Sequence, residues 1–437
     1  MKISIVSLGC SKNLVDSEIM SGALTRSGHE ISSEDEADVI IVNTCGFIGD
    51  AKKESIDTIL ELSERKASGS CSKLIVTGCL VERYSEVLRN ELPEVDAFWG
   101  TGNLLRINEV LEDRRPGTIH KNPPGTIYDP DSPRVMLTPR HYAYVKVSEG
   151  CSRTCSFCII PKMRGIMKSR PVASIVGEAE SLVRQGVREI NLIAQDMTSY
   201  GRDIGTNLET MLRELAQVDG LRWIRIHYSY PWGITDSLVE LIASEEKILP
   251  YIDMPLQHIS DRMLKAMDRK TPPARIREIL KKLRDGIDGV VLRTTFIVGF
   301  PGETDDEFEE LLEFVEETGF DRAGAFKYSQ EEGTPAGTMD DQIPEEVKEE
   351  RYERLLEAQS EVSLNKNLSL VGTVHEGFIE GEENGDYIAR IPSQAPEVDG
   401  YTYVKRTGEL ILKTGDLVNI TITDADVYDL RGEVIQG

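Results

Sequence analysis

Tyr142-Ala143-Tyr144-Val145-Lys146-Val147-Ser148 runs directly into Glu149-Gly150-Cys151-Ser152-Arg153-Thr154-Cys155-Ser156-Phe157-Cys158. The first seven residues, β-branched and aromatic with polar interruptions, read as a strand. Five more strand-like runs follow: Glu189 to Gln195, Trp223 to Tyr228, Tyr251 to Pro255, Val290 to Gly299 and Arg322 to Ser329. Amphipathic helical patterns separate them, among them Ala173 to Gln185, Pro273 to Arg284 and Thr304 to Glu317, where Thr304 and Glu307 fit a capping box. Six β-α units predict a partial (β/α)6 barrel, open on one side. Barrel chemistry sits at the C-terminal ends of the strands, which is where the cysteines begin.

The cysteines form C-x3-C-x2-C with an aromatic, Phe157, before the last. Three thiolates this close suit an iron–sulfur cluster. Three ligands leave one iron of a four-iron cluster open, and an open position marks a reactive site rather than a structural one. The alternatives are a zinc site or incidental cysteines; zinc sites usually add a second cysteine pair, and none follows. The motif resembles that of radical S-adenosylmethionine (SAM) enzymes, in which the amino and carboxylate groups of SAM take the open iron.

Upstream, three segments repeat one design. Lys2 to Leu8 ends in Gly9-Cys10, Ala37 to Thr44 ends at Cys45, and Lys73 to Thr77 ends in Gly78-Cys79. Helix-like stretches follow at Asp16 to Ser27, Ala51 to Ser63 and Tyr84 to Asn90, with Asn13 or Asp16 as candidate cap of the first. Strand–helix alternation predicts a doubly wound parallel sheet with its ligands beyond the carboxyl ends of the strands. Cys10, Cys45 and Cys79 should therefore converge on a second cluster. Cys71 precedes its strand and reads as a bystander.

Six prolines between Arg115 and Arg140 break the pattern, giving a linker at 116–140 between a domain at 1–115 and a core at 141–367. The core ends in one charged connecting helix, Pro344 to Asn367. Residues 368–437 alternate as short strands, with turns at Glu383-Asn384-Gly385 and Asp399-Gly400, and read as a small antiparallel β-barrel. The predicted fold class is α/β with that all-β appendage.

The 437-residue chain is 40% hydrophobic, and no apolar run reaches transmembrane length. Met1-Lys2-Ile3-Ser4-Ile5-Val6 enters a strand rather than a signal sequence. Seven cysteines, an odd number at motif spacing, suit reduced thiols and a cytoplasmic protein without membrane contact. A net charge of −25 argues against sequence-independent binding to nucleic acid and for a basic partner.

Candidates to hold SAM are the polar Gln195, Asp196, Gln257, His258 and Arg293 at the strand ends, Gly299, which lets backbone approach closely, and Phe157 of the cysteine motif, with Asp196 or Glu303 for the ribose. His227, Tyr228 and Tyr230 are candidates to line the substrate pocket. No catalytic side chain beyond the cluster cysteines is expected.

The chain as a whole resembles the radical SAM methylthiotransferases. The resemblance rests on Leu8-Gly9-Cys10-Ser11-Lys12-Asn13-Leu14-Val15-Asp16-Ser17-Glu18, Asn43-Thr44-Cys45-Gly46-Phe47-Ile48 and Val298-Gly299-Phe300-Pro301-Gly302-Glu303-Thr304. It implies a central radical SAM barrel, a C-terminal barrel of TRAM type, two [4Fe-4S] clusters and two uses of SAM. The cluster on Cys151, Cys155 and Cys158 would cleave SAM to a deoxyadenosyl radical. The cluster on Cys10, Cys45 and Cys79 would carry the sulfur to be methylated and delivered. One branch (MiaB-like) modifies a tRNA adenosine; the other (RimO-like) modifies an aspartate β-carbon of a small-subunit ribosomal protein near the decoding centre. Cys10-Ser11-Lys12-Asn13, Ala51-Lys52-Lys53-Glu54-Ser55-Ile56-Asp57 and Ala395-Pro396-Glu397-Val398-Asp399-Gly400 resemble the second. From Val371 onward thirteen Asp and Glu face five Lys and Arg, a net of −8. An acidic barrel suits a basic ribosomal protein, free or in its subunit, better than tRNA. Such an enzyme also implies an electron donor such as flavodoxin or ferredoxin. An electron-transfer protein would instead carry fully ligated clusters, and an RNA adaptor a basic surface.

Overall fold

The structure, a computed structural model, describes residues 1–113, 115–129, 131–406 and 411–435. Its first sheet has six parallel strands in the spatial order Glu30–Ile31, Lys2–Ser7, Val39–Thr44, Lys73–Gly78, Ala97–Trp99 and Thr118–His120. Val39–Thr44 is buried at every position, as a strand covered on both faces must be, and so its first four residues, Val39-Ile40-Ile41-Val42, read as an unbroken apolar run. Ile3, Val39, Ile41 and Ile75 pack on one face with the helix Ser11–Arg26, while Ile40, Val42, Leu74 and Val76 pack on the other with Gly49–Ala67 and Cys79–Glu91. Cys71 is buried in that second cluster, before its strand.

The Pro-rich stretch is less of a linker than its composition suggests. Thr118–His120 pairs with Ala97–Trp99 as the sixth strand. Tyr128 is buried, and Arg134 bridges Glu18 and Glu178, tying the first domain to the core. Pro130 lies outside the described residues. The cap expected at Asn13 or Asp16 is not formed. Cys10 occupies the N-cap position without a side-chain cap, because Asn13 and Asp16 are drawn into tertiary contacts.

The core is an open sheet of six parallel strands, each beside its neighbour in sequence: Tyr142–Lys146, Glu189–Ile193, Trp223–Ile226, Ile248–Asp253, Val291–Val298 and Arg322–Lys327. Ala143, Val145, Ile190, Leu192, Ile224 and Ile226 pack outward on the helices. The alternate residues Tyr142, Tyr144, Glu189, Asn191, Arg225 and His227 therefore point into the lumen. The Thr304–Glu307 capping box forms as expected.

The long helix Glu345–Leu368 buries one stripe, Lys348, Arg351, Leu355, Gln359, Ser363 and Asn367. A closed five-strand barrel follows, built from Val374–Glu383, Asp386–Arg390, Thr402–Val404, Leu417–Ala425 and Leu430–Val434. The sequence pattern predicts four of these strands, Val374 to Ile379, Tyr387 to Arg390, Tyr401 to Val404 and Leu417 to Thr423, but not the last. The loop after Asp386–Arg390 closes the lumen where the core strands begin. Arg225 Nη1 donates to the Pro392 carbonyl at 2.8 Å, the Tyr142 hydroxyl to Glu397 at 3.0 Å, and the Tyr251 hydroxyl to Asp399 at 2.7 Å.

Candidate active site

Cys10, Cys45 and Cys79 follow three adjacent parallel strands, so the sheet itself gathers them. Two glycines allow the close approach. A Cβ on Gly9 would stand 2.7 Å from the Cys45 Cβ, and one on Gly78 would stand 2.5 Å from the Thr44 carbonyl and the Asn43 Oδ1. Asn13 fixes the turn by donating to the Leu8 and Thr44 carbonyls at 2.8 and 3.1 Å. The Cys45 N–H donates to Ser55 Oγ at 3.1 Å. Burial pushes the Cys79 thiol up to about 12, against the pull of Arg164. Enclosure by protein also raises the Cys10 thiol, but Lys12, Arg164 and nearby backbone N–H groups carry it below the ordinary value. Cys10 remains accessible, the combination shown by a thiol lining an open recess.

Gly78 lends itself to a direct test. Its φ is +98°, in the region that favours glycine, and it sets the start of the helix Cys79–Glu91. Gly78→Ala should cost about 2 kcal/mol or more in strain and displace Cys79. The reconstituted variant should hold roughly half the iron of the parent, because the cysteines of the core are untouched. A full iron complement would show that Cys79 is not a ligand.

Cys151, Cys155 and Cys158 lie just past the first core strand. Burial pushes Cys151 to about 11 and Cys158 to about 12. Arg269 Nη1 reaches Cys155 Sγ at 3.7 Å, and the Arg153 N–H reaches Cys151 Sγ at 3.4 Å. Thiols raised this far need a metal's charge to ionise. Among the described residues no three His, Cys, Asp or Glu side chains close on a single ion. A four-iron cluster puts each cysteine on a different iron, so its sulfurs stand farther apart than a mononuclear site requires. Two open sets of three soft ligands fit such clusters and fit zinc poorly.

The two sets adjoin. Cys79 packs against Ile159 and Met163, which follow Cys158 directly. Arg164 bonds to Asn13 Oδ1, to Asp16 at 3.0 Å and to Glu149 at 3.1 Å. Lys146, which also bonds to Asp16 and Glu149, completes a buried charge network with the Tyr128 hydroxyl at 2.9 Å. Past the last core strand, Glu331 takes Lys52 at 2.8 Å and Arg83 at 2.7 Å, clamping the first domain over the strand ends.

The candidate SAM residues divide. Gln195 donates to Glu149 at 3.3 Å and leaves a buried carbonyl oxygen without a partner. Asp196 holds Arg153 at 2.6 Å beside Cys151. Phe157 packs at the edge of the Met263–Phe300 cluster. Gln257 has φ +76° and pairs through its backbone with the strand Val291–Val298. The others meet structural partners. His258 is fully buried, held neutral by burial with its pKa at about 3, and accepts from the Ile259 and Ser260 N–H groups at 2.9 and 3.0 Å. Arg293 pairs with Asp253 at 3.0 Å and Asp399 at 3.6 Å, toward the loop of the C-terminal barrel. Gly299 faces Lys348 of the long helix, whose Cγ would lie 2.3 Å from an added Cβ. Glu303 accepts from the Phe300 N–H and from Arg351, each at 3.1 Å, bracing its own turn.

Three family models match the chain: the Uncharacterized protein family UPF0004 over residues 2–100, the Radical SAM superfamily over 145–315 and the TRAM domain over 371–435. The ribosomal protein uS12 methylthiotransferase RimO of Geotalea uraniireducens is 51% identical over 99% of this chain and 98% of its own length. The protein of the same name from Geobacter sulfurreducens is also 51% identical, with the same coverage. The chain belongs to the RimO family of radical SAM methylthiotransferases. The fold has relatives beyond RimO. The radical SAM methyltransferase TsrM of Kitasatospora setae aligns with a TM-score of 0.55 at 14% identity, covering 77% of each chain. The cobalamin-dependent radical SAM enzyme OxsB aligns at 0.52 and 14% identity, over 83% of this chain and 56% of its own. Membership in the RimO family brings a [4Fe-4S] cluster and SAM as cofactors. No helix among the described residues is long and apolar enough to cross a membrane.

Arg164, Glu149, Lys12 and Arg269 were not singled out from sequence as site residues. Glu149 stands two residues before Cys151, but position alone gave it no role. Lys12 appeared only inside a resembling string.

Proposed function

We propose that this chain adds a methylthio group to the β-carbon of an aspartate in ribosomal protein uS12, working in the cytoplasm with electrons from a flavodoxin- or ferredoxin-type donor. The observation that carries the reading is the apposition of two three-thiol sets, joined through Arg164 and Glu149. Cys151, Cys155 and Cys158 would hold the cluster at which SAM binds. Cys10, Cys45 and Cys79 would hold a second that carries sulfur. Bound there, these groups supply reductive SAM cleavage and a transferable sulfur. The chain's own residues orient and shield. Gln195 offers its unpartnered oxygen to SAM, Asp196 stands ready for a ribose hydroxyl, and Phe157 and Gln257 bound the same space. The clamp at Glu331 holds the first domain against the core beside the apposed thiols. The acidic C-terminal barrel attracts the basic substrate.

The test is anaerobic reconstitution with iron and sulfide, followed by SAM, a reductant, and uS12 and tRNA together, each weighed by mass spectrometry. A methylthio-sized gain on uS12 alone is expected. A gain on tRNA alone overturns the substrate. Cys155→Ala should abolish deoxyadenosine formation in the same assay while retaining roughly half the iron; undiminished deoxyadenosine would remove Cys155 from its role.

A further inference from the structure

Lys12 lies two residues after Cys10, in the first turn of Ser11–Arg26. It is only 6% exposed, and its ammonium sits 3.1 Å from the centroid of the Tyr228 ring. Among the described residues it is the one buried lysine or arginine with neither a hydrogen bond nor an ion pair. A buried ammonium is costly without an anionic partner, and an aromatic face satisfies it only in part.

Its charge bears on the Cys10 thiol, and the carboxylates along the seam are already engaged elsewhere. Asp16 and Glu149 serve Lys146 and Arg164. Asp253 serves Arg293 and the Tyr228 N–H. Asp196 serves Arg153, Thr198 and Ser199.

Tyr228 itself is strained, with φ +62°. It is held there by its N–H donating to Asp253 at 3.0 Å and its carbonyl accepting from the Met197 N–H at 3.0 Å. Strain of this kind persists where the surroundings enforce it and concentrates at functional sites. Here it slides a ring beneath an unpaired cation, at the seam between the first sheet and the core strand ends.

We propose that Lys12 receives the side-chain carboxylate of the substrate aspartate and so selects an acidic residue and presents its β-carbon, an inference that rests on the aspartate reading above. An adenine ring offers no anion at this point.

The experiment uses reconstituted enzyme, uS12, and uS12 whose modified aspartate, mapped by peptide fragmentation, is changed to asparagine. Lys12→Met should bind uS12 roughly 30-fold more weakly, the scale for truncating one member of a buried charge pair. The asparagine substrate should lose a similar factor on the unaltered enzyme. Combining both changes should cost little more than either alone, because they remove the same contact. Iron content and SAM affinity are measured beside uS12 binding, because Lys12 also bears on the Cys10 thiol. Unchanged uS12 binding, additive losses, or loss of iron or SAM affinity in place of uS12 affinity overturns the assignment. If Lys12→Met fails to fold, Lys12→Gln replaces it. An asparagine substrate bound as tightly as aspartate by the unaltered enzyme overturns the assignment without any enzyme variant. Modification of tRNA and not uS12 by the unaltered enzyme would instead sink the substrate reading, before Lys12 is touched.

Discussion

Cys45→Ala will leave reductive SAM cleavage standing and stop methylthio transfer. The Cys45 side chain is only half-buried, so its truncation leaves a small defect, about 1 kcal/mol. Its backbone bonds to Ser55 Oγ survive the change, since N–H and carbonyl remain. Arg164, which joins the two sites, takes its hydrogen bonds from Asn13, Asp16 and Glu149 rather than from Cys45. The fold and the central thiols should therefore persist. What is lost is the third ligand of the first set, leaving Cys10 and Cys79 without the partner that Gly9 brings so close. Deoxyadenosine should form at a rate within a few-fold of the parent, iron should fall by roughly half, and mass spectrometry should find no methylthio product. Normal product from this variant would mean that the sulfur does not pass through the first site.

How far the sequence anticipates the molecule depends on what each segment's burial demands. Val39–Thr44 is legible because a strand covered on both faces runs apolar through Val39-Ile40-Ile41-Val42 before its polar end. The six core strands fall within a few residues of expectation because their outward faces alternate with a polar lumen. Leu430–Val434 escapes notice because Leu-Arg-Gly-Glu-Val carries too few apolar positions to announce a strand, and barrel closure supplies the rest. Thr118–His120 hides among prolines. The long helix shows no amphipathic face because five of the six residues in its buried stripe are polar or charged, with Gln359, Ser363 and Asn367 bonded inside.

The site divides in the same way. Cysteine spacing marks the two candidate ligand sets, since iron–sulfur clusters are held mainly by cysteine thiolates. Strand ends give the level of the remaining groups but not their direction. Arg293 turns to the C-terminal loop, and Gly299 makes room for a lysine of the long helix. Asn13 resembles a helix cap in sequence, yet it spends its amide on Leu8 and Thr44.

The second large effect concerns the C-terminal barrel. Glu189 is fully buried, with Arg225 at 3.0 Å on one oxygen and Arg390 at 2.6 Å on the other. Arg225 belongs to the core and Arg390 to the C-terminal barrel, so one carboxylate holds two guanidiniums across the boundary. Burial pushes Glu189 up, but Arg390 and Arg225 outweigh it and bring it to about 2 from an ordinary 4.5. A lowered carboxyl stabilises the fold above its unfolded value, and that contribution fades as pH falls from about 4.5 to 2. Glu189→Gln keeps the shape, strands Arg225 without a carboxylate and leaves Arg390 only Glu380, a change that should cost about 3–5 kcal/mol at pH 7. By contrast, Arg222→Ala breaks an exposed pair with Glu376 across the same boundary and should cost at most about 1 kcal/mol after solvent screening. Denaturant titration of the metal-free proteins measures both. The Glu189→Gln deficit should be largest near neutrality and shrink toward pH 3, because below about 4.5 the unfolded parent takes up a proton that the folded parent does not bind until about 2. Protease access to the segment 369–373 should rise in parallel, as Pro392, Glu397 and Asp399 alone fail to keep the barrel docked. A deficit below about 1 kcal/mol, or one that does not change with pH, would mean that the loop and not the buried carboxylate anchors the C-terminal barrel.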